Sequence, residues 1–332
     1  MNKSINLKNR PSGKPILEDF KFEDIETPEA AEGQLLLKTL YVSVDPYLRG
    51  RMRDEKSYIP PFKVGEPLES MVVAEVTESK NENFKKGDFV SGMLKWKKIQ
   101  ISDGKGLNKI DRNLAPLSAY LGVLGLTGIT AYLGLEKIGK LKEGEHLLVS
   151  GAAGAVGSVV GQIGKIKSCK VTGIAGTDEK IETLKEKYGF DSGINYKKTG
   201  NIKSAIAEAC ALGVDVYFDN VGGEILDAAM ASMNKYGRVI NCGAISIYNA
   251  EEQPTGPRLE TVLIKKSISM QGFTVRDYAE DFPDAIKQLA QWLKEGKLKY
   301  EETVVEGFEK IPQAFLDLFE GKNKGKMVVK VN

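Results

Sequence analysis

The chain has 332 residues, 42% hydrophobic and 28% charged, and its 47 Lys plus Arg against 45 Asp plus Glu leave a net charge of +2. That length predicts two domains, and so even a charge balance offers no basic footprint for a nucleic-acid backbone. One histidine, His146, and three cysteines, Cys169, Cys210 and Cys242, with no Cys-x-x-Cys spacing, argue against a zinc site and against a Ser-His-Asp hydrolase.

So few thiols in so long a chain point to a reducing compartment. The amino-terminal stretch MNKSINLKNRPSGKP is polar and lacks the apolar core of a secretory signal, so the expected location is the cytoplasm. Residues 1 to about 120 read as short strands broken by turns, among them Gln34–Val44, Glu69–Val76 and Gly87–Ser91, each rich in β-branched or aromatic residues. This part is expected to form an irregular, barrel-like β domain. Within it, Arg49, Arg51 and Arg53 alternate, and on a strand they share one face. They read either as structural ion pairs on a solvated edge or as a strip that attracts an anionic substrate group or a cofactor phosphate. The charge-free run Asn113–Leu135 is long enough to span a bilayer, but its proline, glycines and hydroxyl residues dilute it, and it reads as a buried helix and turn.

From residue 146 the texture changes. A short apolar strand, His146–Ser150, is followed by Gly151-Ala-Ala-Gly-Ala-Val-Gly157. A helix then begins at Ser158, with Val159, Val160, Ile163 and Ile166 on one face. A second strand, Lys170–Ala175, completes a βαβ unit. The alternation continues with a helix at about Asp178–Tyr188 and strands at Gly193–Tyr196, Val214–Asn220, Gly237–Cys242 and Ile268–Phe273. A helix near Pro283–Glu295 and a last strand, Lys326–Val331, close the chain. Short apolar strands alternating with helices predict a doubly wound parallel α/β sheet covered on both faces.

The loop Gly151, Ala152, Ala153, Gly154, Ala155, Val156, Gly157 fits G-x-x-G-x-x-G, placed between strand and helix. Such a loop turns tightly, lets backbone approach a pyrophosphate, and aims the partial positive charge of a helix N-terminus at it. The end of the second strand selects the cofactor. It carries Gly176 and Thr177, with Lys180 shortly after, and has no carboxylate at the usual ribose position. That favours NADP(H). Asp178 stands against it, although Thr177-Asp178 also reads as a helix cap.

These residues resemble the zinc-independent medium-chain dehydrogenase/reductases, in the branch of prostaglandin reductases, alkenal/one oxidoreductases, plant double-bond reductases and curcumin reductase. The resemblance is carried by Val44-Asp-Pro-Tyr-Leu-Arg-Gly-Arg-Met52, Leu124-Gly-Leu-Thr-Gly-Ile-Thr-Ala131, Val149–Gly157, Asp219-Asn-Val-Gly-Gly223, Asn241-Cys-Gly-Ala-Ile-Ser-Ile-Tyr-Asn249 and Gly321-Lys-Asn-Lys-Gly-Lys326. It implies a GroES-like barrel-type catalytic domain over residues 1–122, a Rossmann NADP-binding domain over 123–298, and a segment, 299–332, that returns to the catalytic domain. It also implies a homodimer, NADPH, no zinc, and reduction of the C=C bond of α,β-unsaturated ketones or aldehydes. By the same resemblance Lys180 and Tyr196 meet the 2′-phosphate region. Asn220 and the loop Cys242, Gly243, Ala244, Ile245, Ser246 and Tyr248 line the adenosine and nicotinamide ribose. Phe273, Thr274 and Val275 pass near the nicotinamide, and Asn323 reaches it from the tail.

Ene reduction asks for a donor at the carbonyl oxygen and a proton at the α-carbon, and tyrosine suits both tasks. Tyr47, Tyr58 and Tyr248 are the candidates, with solvent as the other source of the proton. Two rival readings share the cofactor: a quinone oxidoreductase and a non-catalytic NADPH-binding protein. A short-chain carbonyl reductase is disfavoured because no Tyr-x-x-x-Lys pair occurs.

Overall fold

The computed structural model describes residues 1–332. Seven strands open the chain: β1 (Asn2–Leu7), β2 (Phe20–Ile25), β3 (Leu35–Ser43), β4 (Glu69–Ser79), β5 (Phe89–Lys95), β6 (Ile99–Ser102) and β7 (Asn108–Lys109), with a one-turn helix, α1 (Leu48–Arg51), after β3. Helix α2 (Leu126–Leu133) then precedes a regular alternation. Its members are β8 (His146–Val149), α3 (Gly157–Ile166), β9 (Lys170–Ala175), α4 (Asp178–Glu186), β10 (Ser192–Asn195), α5 (Ile202–Ala209), β11 (Val214–Asp219), α6 (Gly223–Ser232), β12 (Met233–Asn241), α7 (Glu260–Lys266) and β13 (Ser269–Gly272). Helix α8 (Phe282–Lys294), β14 (Glu302–Glu306), α9 (Ile311–Phe319) and β15 (Lys326–Lys330) close it. The chain divides into two compact units, one of Met1–Leu121 with Glu302–Asn332, the other of Gly122–Glu301.

In the first unit β3 is the hub. It pairs antiparallel with β4, β6 and β15, while β14 runs parallel to β15, and β1 pairs with β2. Period-two alternation turns Val72, Ala74 and Val76 of β4 into the same core as Leu35 and Leu37 of β3. Trp96 is fully buried there, stacks on Phe20, and satisfies its indole N–H on Ser70 Oγ at 2.8 Å. The arginine strip is a correction. Pro46 and Tyr47 start a turn rather than a strand, so Arg49 and Arg51 lie in α1, and both are buried. Arg49 donates to the Pro11 and Gly13 carbonyls, and Arg51 donates to the Pro60 carbonyl and Glu69 and lies over the Phe62 ring. Their guanidinium groups are structural.

The second unit holds six parallel strands in the order β10-β9-β8-β11-β12-β13. All four residues of β8 are buried, as befits a strand covered on both faces. The order reverses between β8 and β11, and in such sheets the switch point is where ligands bind. Strand β12 starts before the expected Gly237. Val214 already pairs with Met233, and the register resumes at Val216 with Arg238 after Tyr236 turns the chain at φ 64°. The run Asn113–Leu135 holds a short turn of helix and then α2, and no helix of the chain is long and apolar enough to cross a membrane.

The sole histidine is part of this second core. His146 is buried at the start of β8, with Nε2 2.8 Å from Thr172 Oγ1, which in turn bonds to Ser192 Oγ. Burial first, and the Lys170 charge second, hold its pKa below the ordinary value. The folded chain therefore keeps His146 neutral while the unfolded chain protonates it. The sign follows: this group costs nothing above about pH 6.5 and removes stability as pH falls below it. Chemical denaturation of the native chain and of His146→Gln across pH 5 to 8 tests this. The stability difference between them should stay flat above about pH 6.5 and move against the native chain below it.

Candidate cofactor-binding site

Strand β8 feeds straight into the glycine loop. Gly151 adopts φ +57°, a left-handed turn that glycine takes without steric cost, and the Gly154 N–H closes the turn on the Gly151 carbonyl at 3.0 Å. A Cβ at Gly157, the first residue of α3, would lie 2.4 Å from the Gly151 oxygen and 2.7 Å from Ala152 Cα. No side chain fits there. Ala152 and Ala153 are buried, and the Ala152 N–H donates to the Ile174 carbonyl of β9, while Ala155 and Val156 are half-buried. No side chain caps α3, whereas Thr177 caps α4 and Asn201 caps α5. The strand, the tight turn and an uncapped helix N-terminus fit a dinucleotide pyrophosphate.

Behind the loop lies a buried carboxylate. Asp219 ends β11 and is 1% exposed. Its Oδ1 accepts from Ser150 Oγ and Tyr217 OH at 2.7 Å, and from the Val221 and Gly222 N–H groups at 3.0 Å. Its main-chain oxygen accepts from the Cys242 and Gly243 N–H groups. Asn220 N–H donates to Ser150 Oγ, and Asn220 Nδ2 to the Ser150 carbonyl at 2.8 Å. One aspartate thus ties the end of β8, the turn into α6, and the loop after β12. The sequence pattern missed it as a site residue, because its link to Ser150 crosses 69 residues of the chain.

The loop after β12 closes on itself. The Ala244 N–H donates to Tyr248 OH at 3.1 Å, Ser246 Oγ donates to the Val221 carbonyl at 2.6 Å, and the Ile245 N–H donates to the Asn220 carbonyl. The Cys242 thiol is pushed up to about 12 by burial and then by the Asp219 carboxylate. A thiol so held is no nucleophile.

At the end of β9, Gly176 lies beneath the Tyr196 ring and the Lys197 stem; a Cβ there would stand 3.1 Å from Tyr196 Cε1 and 3.3 Å from Lys197 Cε. Thr177 accepts from the Lys180 N–H, so the predicted cap is present. Asp178 is engaged by Lys198 and by Asn195 Nδ2, and the Lys198 hydrogen bond leads the causes that lower its pKa. That ion pair partly offsets Asp178, which shares the first turn of α4 with Glu179. Lys197, a further cation beside Gly176, was not among the expected residues.

The remaining candidates are placed as follows. Phe273, Thr274 and Val275 follow β13 in the second unit and are half-buried, with Phe273 edge-on to Tyr278. In the first unit, Tyr47 packs against the core at the start of α1, and Tyr58 is 60% exposed. Asn323, ahead of β15, donates through Nδ2 to the Gly325 carbonyl at 2.9 Å.

Comparison with known proteins decides the family. Residues 3–110 match a family model described as the N-terminal domain of oxidoreductase, and residues 155–291 one described as zinc-binding dehydrogenase. A putative NADP-dependent oxidoreductase of Bacillus subtilis, YfmJ, is 56% identical over 330 residues, 99% of this chain and 97% of that protein. The chain belongs to the medium-chain dehydrogenase/reductases. Within them it stands in the branch of NADP-dependent reductases that the sequence motifs suggested. An NADP-dependent 2-alkenal reductase of Nicotiana tabacum is 42% identical over 337 residues, 100% of this chain and 98% of that protein. The crystal structure of CurA from Vibrio vulnificus in complex with NADPH superposes with a TM-score of 0.95 at 43% identity, covering 99% of each chain. Despite the wording of the second family model, no group of three or more His, Cys, Asp or Glu residues is gathered to hold a metal ion.

Replacing the buried carboxylate tests how far the site depends on it. Asp219→Ala strands two hydroxyls and two backbone N–H groups, and at about 1–3 kcal/mol for a buried unsatisfied group it should cost about 3 kcal/mol or more of unfolding free energy. A denaturant titration measures this, and a loss under about 1 kcal/mol would contradict the network's role.

Proposed function

We propose that this chain reduces the C=C bond of α,β-unsaturated aldehydes and ketones with NADPH. The observation that carries the reading is full-length similarity to a protein named as a 2-alkenal reductase. The strand, glycine turn and uncapped helix from Val149 to Gly157 support a dinucleotide beside it. Lys180 and Tyr196 are the proposed partners of the 2′-phosphate, at a strand end where Asp178 already pairs with Lys198. Asn220, the Cys242–Tyr248 loop, Phe273, Thr274, Val275 and Asn323 are the proposed contacts of the ribose and nicotinamide. The homodimer implied by the family resemblance and the cytoplasmic location expected from the few thiols and the polar amino terminus belong to the same proposal.

When bound, the nicotinamide supplies a hydride to the substrate β-carbon. A tyrosine hydroxyl serves the other end of the conjugated system: it donates to the carbonyl oxygen as enolate charge develops, and a proton then reaches the α-carbon. The π bond is consumed and a saturated carbonyl leaves. Tyr47, Tyr248 and Tyr58 are the proposed donors. Tyr248 accepts a hydrogen bond from the Ala244 N–H, an interaction that orients its hydroxyl without consuming its proton.

The test is loss of NADPH absorbance with an enal, an enone, a saturated aldehyde and a quinone. Turnover of the enal or enone to a saturated carbonyl, with none of the saturated aldehyde, is the expected pattern. Turnover of the quinone alone would move the chain to a different acceptor class. A second measurement tests the cofactor. Lys180→Ala should weaken NADPH about 10-fold or more while leaving NADH affinity nearly unchanged, because a charge-assisted bond to phosphate is worth about 1.5–3 kcal/mol. An equal effect on both nucleotides would remove Lys180 from the phosphate site.

A further inference from the structure

The tail motif ends on Lys326, a lysine only 4% exposed at the start of β15. Its ammonium group donates to the Val44 carbonyl at 2.8 Å and to Asp45 Oδ1 at 2.9 Å. Asp45 Oδ2 accepts from Ser43 Oγ, so that carboxylate is held on both oxygens. Glu302, in register with Lys326 on β14, is the second carboxylate that feels the ammonium charge. The Asp45 carbonyl accepts from the Leu48 N–H at 3.1 Å, which closes the turn of Asp45, Pro46 and Tyr47 that becomes α1. Beyond the turn, Arg49 and Arg51 fasten α1 to the loops at Pro11–Gly13 and at Pro60. Three buried cations therefore surround one short segment, and Tyr47 is the residue they bracket.

A buried ion pair is a poor source of stability, since an apolar side chain of similar volume commonly does as well. What Lys326 supplies is direction. Its two bonds go to the junction where β3 ends and the turn begins, and they fix that junction from a point 281 residues further along the chain. We infer that Lys326 is a positioning residue that, through Val44 and Asp45, holds the Tyr47 turn in one place for the reaction. The inference rests on the proposed role of Tyr47, but its mechanical half stands on the hydrogen bonds alone.

Two variants test it, Lys326→Met and the double variant Asp45→Asn with Lys326→Met. The first keeps the apolar stem and strands the Asp45 carboxylate; the second removes that charge as well, while Glu302 keeps its hydrogen bond with the Ser118 side chain. In both, amide hydrogen exchange across residues 44–52 should quicken by about 10-fold or more, as expected of local opening. In both, kcat for an enone should fall about 10- to 100-fold, with the Kd for NADPH within about twofold of the native value. The double variant should recover the melting temperature lost by the single one without recovering kcat. Unchanged exchange across residues 44–52 would overturn the inference, and so would recovery of kcat together with stability, or a parallel loss of NADPH binding. A native chain that reduces no enone would instead overturn the proposed function, and the exchange measurement would still decide whether Lys326 holds the turn.

Discussion

A carboxylate buried without a cation must be satisfied by hydrogen-bond donors, and Asp219 recruits two hydroxyls and two backbone N–H groups for that purpose. Because those donors come from the end of β8, from β11 and from the turn after it, satisfying one charge ties two neighbouring strand ends together. Ser150 directly precedes Gly151, so the glycine loop leaves β8 from an anchored point. Val221 and Gly222 set the turn into α6, and the main-chain oxygen of the same residue holds the start of the loop after β12. The glycine loop and the flanking loops of the switch point are thus one assembly rather than separate elements.

Much of this unit was legible in the sequence because its signals are local. Strand β9 coincides with Lys170–Ala175, and the Gly151–Gly157 spacing sits between β8 and α3 as expected. The Thr177 cap is likewise readable from neighbouring residues. What the sequence hid is long-range. Asp219 was visible as part of a motif, yet its bond to Ser150 crosses 69 residues, and no periodicity reports such a pairing. The arginine strip misled for a related reason. Alternation in Arg49, Arg51 and Arg53 imitates a strand, while the Leu48 and Arg49 N–H groups close back on Asp45 and Pro46 and turn the segment into α1.

The two units handle buried charge in opposite ways. In the second, a buried anion is dissolved in neutral donors. In the first, buried cations are dissolved mainly in carbonyl oxygens: Arg49 takes Pro11 and Gly13, Arg51 takes Pro60 with Glu69, and Lys326 takes Val44 with Asp45. Guanidinium forks suit this use, since several rigid donors can pin irregular loop backbone that has no ladder partner. A unit whose sheet is short of regular connections gains its loop order from side chains instead.

The three thiols share a property with a chemical consequence. Cys169 and Cys210 are buried, Cys242 lies in the loop closed by Tyr248, and burial is the leading cause that raises each thiol pKa, to about 11 for Cys169 and about 12 for Cys242. Conjugated carbonyls are soft Michael acceptors that alkylate thiolates, and it is the thiolate that reacts. At neutral pH the folded chain presents almost none. Its three sulfurs are therefore poor targets for such electrophiles, a protection that belongs to the fold and would vanish on unfolding, when all three return to ordinary acidity.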